Sequence, residues 1–161
     1  MRSKQQQGGF TLIELVVVII ILGILAAVAL PKFMGLSNQA RIAVVNGTAG
    51  SVTEAADMVH ALAEIHGQTA STGSVTLPDG STVTTAYGYP DSTSTGILAA
   101  LQEATSQAST AFPFTFSAST PTATFTYTAP GGTPMQQCLA TYVEPTASTP
   151  APRVSTTIGG C

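Results

Sequence analysis

The chain has 161 residues, room for one modest globular domain and an appendage. Only 8% of them are charged, net charge is −3, and mean hydropathy is +0.33. An acidic chain so poor in charge is not built to grip nucleic acid.

The apolar excess is concentrated at one end. Residues 10–30 read FTLIELVVVIIILGILAAVAL, with Glu14 as the single ionisable side chain. As a helix this run reaches roughly 31 Å, the thickness of a hydrocarbon core. It is too long for the apolar part of an ordinary secretory signal, so it is expected to stay in the product and span the membrane. Arg2 and Lys4 precede it and all eight acidic residues come at or after Glu14. The basic residues at that end predict that the amino terminus stays cytoplasmic, and the acidic remainder would then lie outside.

From Lys32 to His66 the pattern turns amphipathic. Val45, Ala49, Val52, Ala56, Val59 and Ala63 recur at steps of three and four, a helical stripe. One helix from about Phe10 to His66 is the simplest reading, closed by Gly67. Gly23 and Pro31 weaken its middle, proline by removing a backbone donor. Asn46-Gly47-Thr48 matches a glycosylation sequon, yet it lies within the helical stretch.

Beyond Gly67 the chain is rich in hydroxyls, with 25 Thr and 14 Ser overall. Ser74–Leu77 and Ser81–Thr84 flank Pro78-Asp79-Gly80, a three-residue hairpin connection. Residues 92–108 suggest a short helix capped by Ser92 or Ser94. Strands are expected where Phe112, Phe114 and Phe116 alternate, then Ala123, Phe125 and Tyr127, then Cys138–Val143, with Arg153–Ile158 closing the sheet. The expected class is α+β: a long helix whose second half is covered by one small antiparallel sheet. The aromatics of these strands read as core, and Tyr87 and Tyr89 as candidates for an exposed contact.

Outside the cytoplasm the two cysteines, Cys138 and Cys161, are expected to pair. Such a bond would pin the carboxy-terminal strand to the sheet. His60 and His66 are six apart, off a common helical face, so no metal site is expected. Neither a nucleophile elbow, a phosphate loop nor usefully spaced carboxylates occur, so neither enzyme activity nor a cofactor is expected.

At Gly8-Gly9-Phe10-Thr11-Leu12-Ile13-Glu14 the sequence resembles the type IV prepilin signature. The resemblance implies a bacterial filament subunit, cut by prepilin peptidase between Gly9 and Phe10 and N-methylated at Phe10. It divides the chain into a cleaved leader (1–9), a transmembrane and assembly helix (10–31), an amphipathic helical half (32–67) and a β-rich globular head (68–161). It further implies an assembly contact, in which the Phe10 amine of an incoming subunit meets Glu14 of one already placed. In related pilins the stretch between the positions of Gly23 and Pro31 loses helicity in the fibre; Gly23 reads equally well as a helix-packing residue.

Leu30-Pro31-Lys32-Phe33, Gly88-Tyr89-Pro90 and the terminal Gly159-Gly160-Cys161 look most like the mannose-sensitive haemagglutinin branch. The expected partners are copies of the chain, the inner membrane before assembly, the pilus assembly machinery and a host or surface receptor. The expected destination is an extracellular fibre serving attachment, adhesion or motility. Two other functions stay open: a pseudopilin of a type II secretion system, whose usual calcium loop has no acidic counterpart here, and a filament-borne carbohydrate-binding adhesin.

Overall fold

The computed structural model describes residues 10–105, 113–147 and 151–161. Its first element, α1 (Leu12–His66), is a single helix of 55 residues, helical through Gly23 and Pro31. It crosses the division between two compact units, residues up to Asn38 and Gln39–Cys161.

Within the first unit most of the described α1 side chains are exposed. Leu12, Ile13, Leu15, Val17, Ile19, Ile20 and Leu25 are all exposed, as is Phe10 ahead of the helix. The segment is long and apolar enough to cross a membrane. An all-round apolar helix of this kind calls for lipid or partner helices as its solvent.

In the second unit five of the six stripe residues, Val45, Val52, Ala56, Val59 and Ala63, are at most 1% exposed; Ala49 is partly buried against the core, and Ala55, outside the expected stripe, is buried with them. Each buried valine contributes on the order of 1.5–3 kcal/mol relative to an exposed one. The helix ends in a Schellman motif: Gln68 N–H reaches the Ala63 carbonyl at 2.8 Å and Gly67 N–H the Glu64 carbonyl at 3.3 Å. Gly67 has φ +65°, which a residue with a Cβ adopts reluctantly.

The strands follow: β1 (Gly73–Thr76), β2 (Thr82–Ala86) and β3 (Tyr89–Pro90), then α2 (Ile97–Thr105), then β4 (Phe114–Ser119), β5 (Thr122–Ala129), β6 (Thr133–Val143) and β7 (Arg153–Thr157). They form two antiparallel sheets, β1-β2-β3 and β4-β5-β6-β7. The expectation of one sheet is therefore corrected to two. The sequence shows which segments are strands but not which edges pair, and β3 is too short to show period-two alternation at all.

The β1–β2 hairpin turns at Pro78-Asp79-Gly80, as its sequence requires. Leu77 N–H donates to the Ser81 carbonyl and Gly80 N–H to that of Leu77, while Asp79 Oδ1 accepts from Ser81 N–H at 2.7 Å. In the second sheet Phe116 faces Phe125 (centroids 5.2 Å apart) and Phe114 meets Tyr127 edge-on at 5.9 Å. Phe125 is buried and Phe114, Phe116 and Tyr127 pack on the core around it, which bears out the alternation. Phe112 lies outside the described residues.

The expected helix over 92–108 begins later than its sequence suggests. Gly96, not Ser92 or Ser94, supplies the first carbonyl of α2, accepting from Ala100 N–H at 3.0 Å. Residues 91–96 are a turn instead, because Asp91 Oδ1 accepts from Thr93 N–H and Thr93 Oγ1 accepts from Gly96 N–H. Such local bonds from Asp and Thr compete with helix. Residues 106–108 lie outside the described residues.

Candidate assembly site

At the amino terminus of α1 the sequence Thr11-Leu12-Ile13-Glu14 folds as a capping box. Glu14 Oε2 accepts from Thr11 N–H and from Thr11 Oγ1, both at 2.8 Å, and Thr11 Oγ1 lies 3.4 Å from Glu14 N–H. The reciprocal arrangement satisfies donors that a helix start leaves without partners. In hydrocarbon, where water cannot satisfy them, such donors are costly. Thr11 is the partner of Glu14 that the sequence reading missed, although the spacing Thr-x-x-Glu ahead of an apolar run carries the signal.

The box uses one carboxylate oxygen twice. Glu14 Oε1 has no hydrogen-bond partner among the described residues, and the side chain is exposed. Phe10 is 94% exposed immediately before the cap. Gly9 and the rest of the leader lie outside the described residues. The site thus presents a fixed carboxylate with one open oxygen beside an exposed aromatic, on an apolar helix.

The second group of expected residues lies in the other unit. Cys138 and Cys161 are joined, with sulfurs 2.01 Å apart, and both are buried. The bond fastens the chain end to β6, next to the β6–β7 ladder that pairs Leu139–Val143 with Arg153–Thr157. Gly160 N–H donates to the Gln137 carbonyl at 2.8 Å. A Cβ on Gly160 would stand 2.8 Å from that of Gln137, so glycine is required there. Arg41 on α1 donates through Nη1 to the Cys161 carbonyl at 2.8 Å, tying the end of the chain to the helix as well.

His60 is engaged by its own fold. Its ring stacks on Tyr89 with centroids 3.8 Å apart and planes 7° from parallel, and Nδ1 lies 3.2 Å from the Gly88 carbonyl. Tyr89, half-buried, keeps part of its surface accessible beside this stack; Tyr87 is half-buried at a positive φ of 51°. Among the described residues no group of three or more His, Cys, Asp or Glu is placed to hold a metal ion. In the sequon, Asn46 is exposed, and Thr48 is buried with its hydroxyl donating to the Val44 carbonyl.

Residues 4–30 match the family model described as the prokaryotic N-terminal methylation motif. The long apolar helix, antiparallel sheets and carboxy-terminal disulfide are consistent with the type IV pilin fold. Among known proteins, the chain is 47% identical over 56 residues to a type II secretion system core protein G of Pseudomonas aeruginosa, covering 35% of this chain and 39% of that protein. It is 53% identical over 55 residues to a type IV narrow pilus major component of Thermus thermophilus, covering 34% and 44%. With a type IV major pilin of Neisseria gonorrhoeae it shares 48% over 52 residues, covering 30% and 31%. The similarity spans less than half the length of each of these relatives. No solved structure gives a significant match.

Proposed function

We propose that the chain is a structural subunit of a type IV pilus, cut after Gly9, methylated on the Phe10 amine, held in the inner membrane by α1 and then polymerised into an extracellular filament. The observation that carries this reading is the half-used carboxylate of Glu14. A carboxylate in hydrocarbon is stable only with its lone pairs met. Thr11 meets one oxygen, and the amine of a neighbouring copy's Phe10 would meet the other. Hydrophobic packing of the exposed α1 surface supplies the affinity, while the ion pair fixes the axial stagger, as a buried polar group sets register in coiled coils. The mannose-sensitive haemagglutinin branch remains the finer assignment that we favour, on Gly88-Tyr89-Pro90 and the Gly159-Gly160-Cys161 end.

The match to a secretion-system core protein favours a second reading, a pseudopilin whose filament stays short. Shearing cells and examining the released fibres by mass spectrometry separates the two. Abundant fibres made of this chain and beginning at methylated Phe10 support the pilus reading. Absence of surface fibres, with the processed chain retained at the envelope, supports the pseudopilin. An unprocessed chain that never enters a filament overturns both.

A further inference from the structure

A cleft of about 320 Å³ opens beside Tyr89, lined also by Thr53, Ala56 and Asp57 of α1 and by Pro152 and Val154 at the start of β7. This is the lower end of the size range of small-molecule sites. Its aromatic wall is held in place, since His60 stacks against Tyr89. The Asp57 carboxylate is exposed and makes no hydrogen bond or ion pair among the described residues. The Tyr89 hydroxyl is pushed up from its ordinary range by burial and then by the negative charges of Asp57 and Glu64, so the ring sits in a negative field.

No cation among the described residues lines the cleft. Arg153 is adjacent in sequence, but strand alternation sends it to the opposite face from Val154. The donor set therefore repels anions. It is also too poor in oxygens for a bare divalent ion, which takes six or more. An aromatic wall, one carboxylate and an apolar floor of alanine, proline and valine instead match a cation that carries its own apolar surface.

We infer that this cleft binds a small organic cation, an alkyl- or methyl-substituted ammonium, with its positive centre against Tyr89 and Asp57. The same chemistry is offered by a free amine and by a lysine side chain.

The test uses the full chain in non-ionic detergent micelles with ¹³C-methyl valine, so that Val154 reports from the cleft wall in every variant. Three probes are titrated to tens of millimolar: choline, its uncharged isostere 3,3-dimethyl-1-butanol, and Nα-acetyl-lysine amide. A saturable Val154 shift with either ammonium and none with the neutral alcohol supports the site. Choline alone marks a free amine as the source, and the lysine compound alone marks a peptide. Asp57→Asn is expected to weaken binding about three- to fivefold, while Tyr89→Phe, which keeps the ring, changes it less than about twofold. Equal shifts with the neutral isostere, unchanged affinity in Asp57→Asn, or no saturable shift with either ammonium would each overturn the inference.

Discussion

Losing the disulfide has a consequence that can be worked out from the loop it closes. Cys138 and Cys161 are 23 residues apart, and closing a loop of that size in the unfolded chain is worth about 3.4 kcal/mol in the chain-entropy model. The native end of the chain keeps other ties without it: the β6–β7 ladder, the Gly160–Gln137 bond and the Arg41–Cys161 bond. Cys138→Ala and Cys161→Ala should therefore leave the sheet intact and act mainly on the unfolded state. Because either substitution opens the same loop, the two single variants and the double variant are expected to lose nearly the same amount. The assay is native-state amide exchange of Leu139–Val143 in the full chain. A loss of ~3.4 kcal/mol accelerates exchange through global opening by a factor of about 300. Acceleration below about tenfold, or a double variant far worse than either single one, would refute the loop-closure account. The second outcome would mean that each sulfur acts through packing of its own.

Two further perturbations test the polar joint where the turn before α2 meets the end of β6. Ser92 is fully buried, its hydroxyl lacks a partner among the described residues and its N–H donates to Glu144 Oε2 at 2.5 Å; Ser92→Ala is expected to stabilise the protein by about 1 kcal/mol in chemical unfolding, since it removes only the unmet hydroxyl. Tyr142 is buried and donates to the Pro90 carbonyl at 2.6 Å; burial first, then the charges of Glu144 and Asp91, raise its hydroxyl far above the ordinary value of 10.0. The folded state keeps this proton where the unfolded chain loses it, so the contribution is whole below about pH 10 and falls above it by at most about 1.4 kcal/mol per pH unit. Tyr142→Phe should remove that alkaline slope, and tyrosinate absorbance of the folded wild type should show one tyrosine that fails to ionise until unfolding.

Much of this architecture was legible because its signals are local and repetitive. The three-and-four spacing from Val45 to Ala63 marked the buried face of α1, and Phe114/Phe116 against Phe125/Tyr127 marked paired strands. What escaped depends on contacts distant in sequence or on too few residues. Tyr89–Pro90 becomes a strand because Thr85 and Ala86 lie beside it, and Tyr89 is half-buried because His60 and the core pack against it. The late start of α2 depends on how Asp91 and Thr93 spend their side chains, a competition that composition does not decide. At the start of α1, the Glu14 charge stands out in an apolar run, whereas Thr11 reads as one more helix residue. Its role is visible once the Thr11 N–H, the Thr11 hydroxyl and the Glu14 carboxylate are seen together.

Thr11 also makes the role of Glu14 separable into two parts. If the carboxylate serves only to cap α1, an uncharged side chain with a carbonyl oxygen should serve, because Glu and Gln both complete a capping box. If it must also neutralise a neighbour's amine, the charge itself is required. Glu14→Gln keeps an acceptor for Thr11 N–H and loses the ion pair; Glu14→Ala loses both. The open Oε1 leads us to expect that both variants insert and are processed, and that both fail to assemble, with fibre yield in sheared fractions reduced more than tenfold. Each variant would then be rescued neither by added copies nor by Thr11→Ser, which only preserves the cap. Wild-type fibre yield from Glu14→Gln beside failure of Glu14→Ala would reduce Glu14 to a helix cap. The stagger between subunits would then have to come from packing of the apolar faces alone.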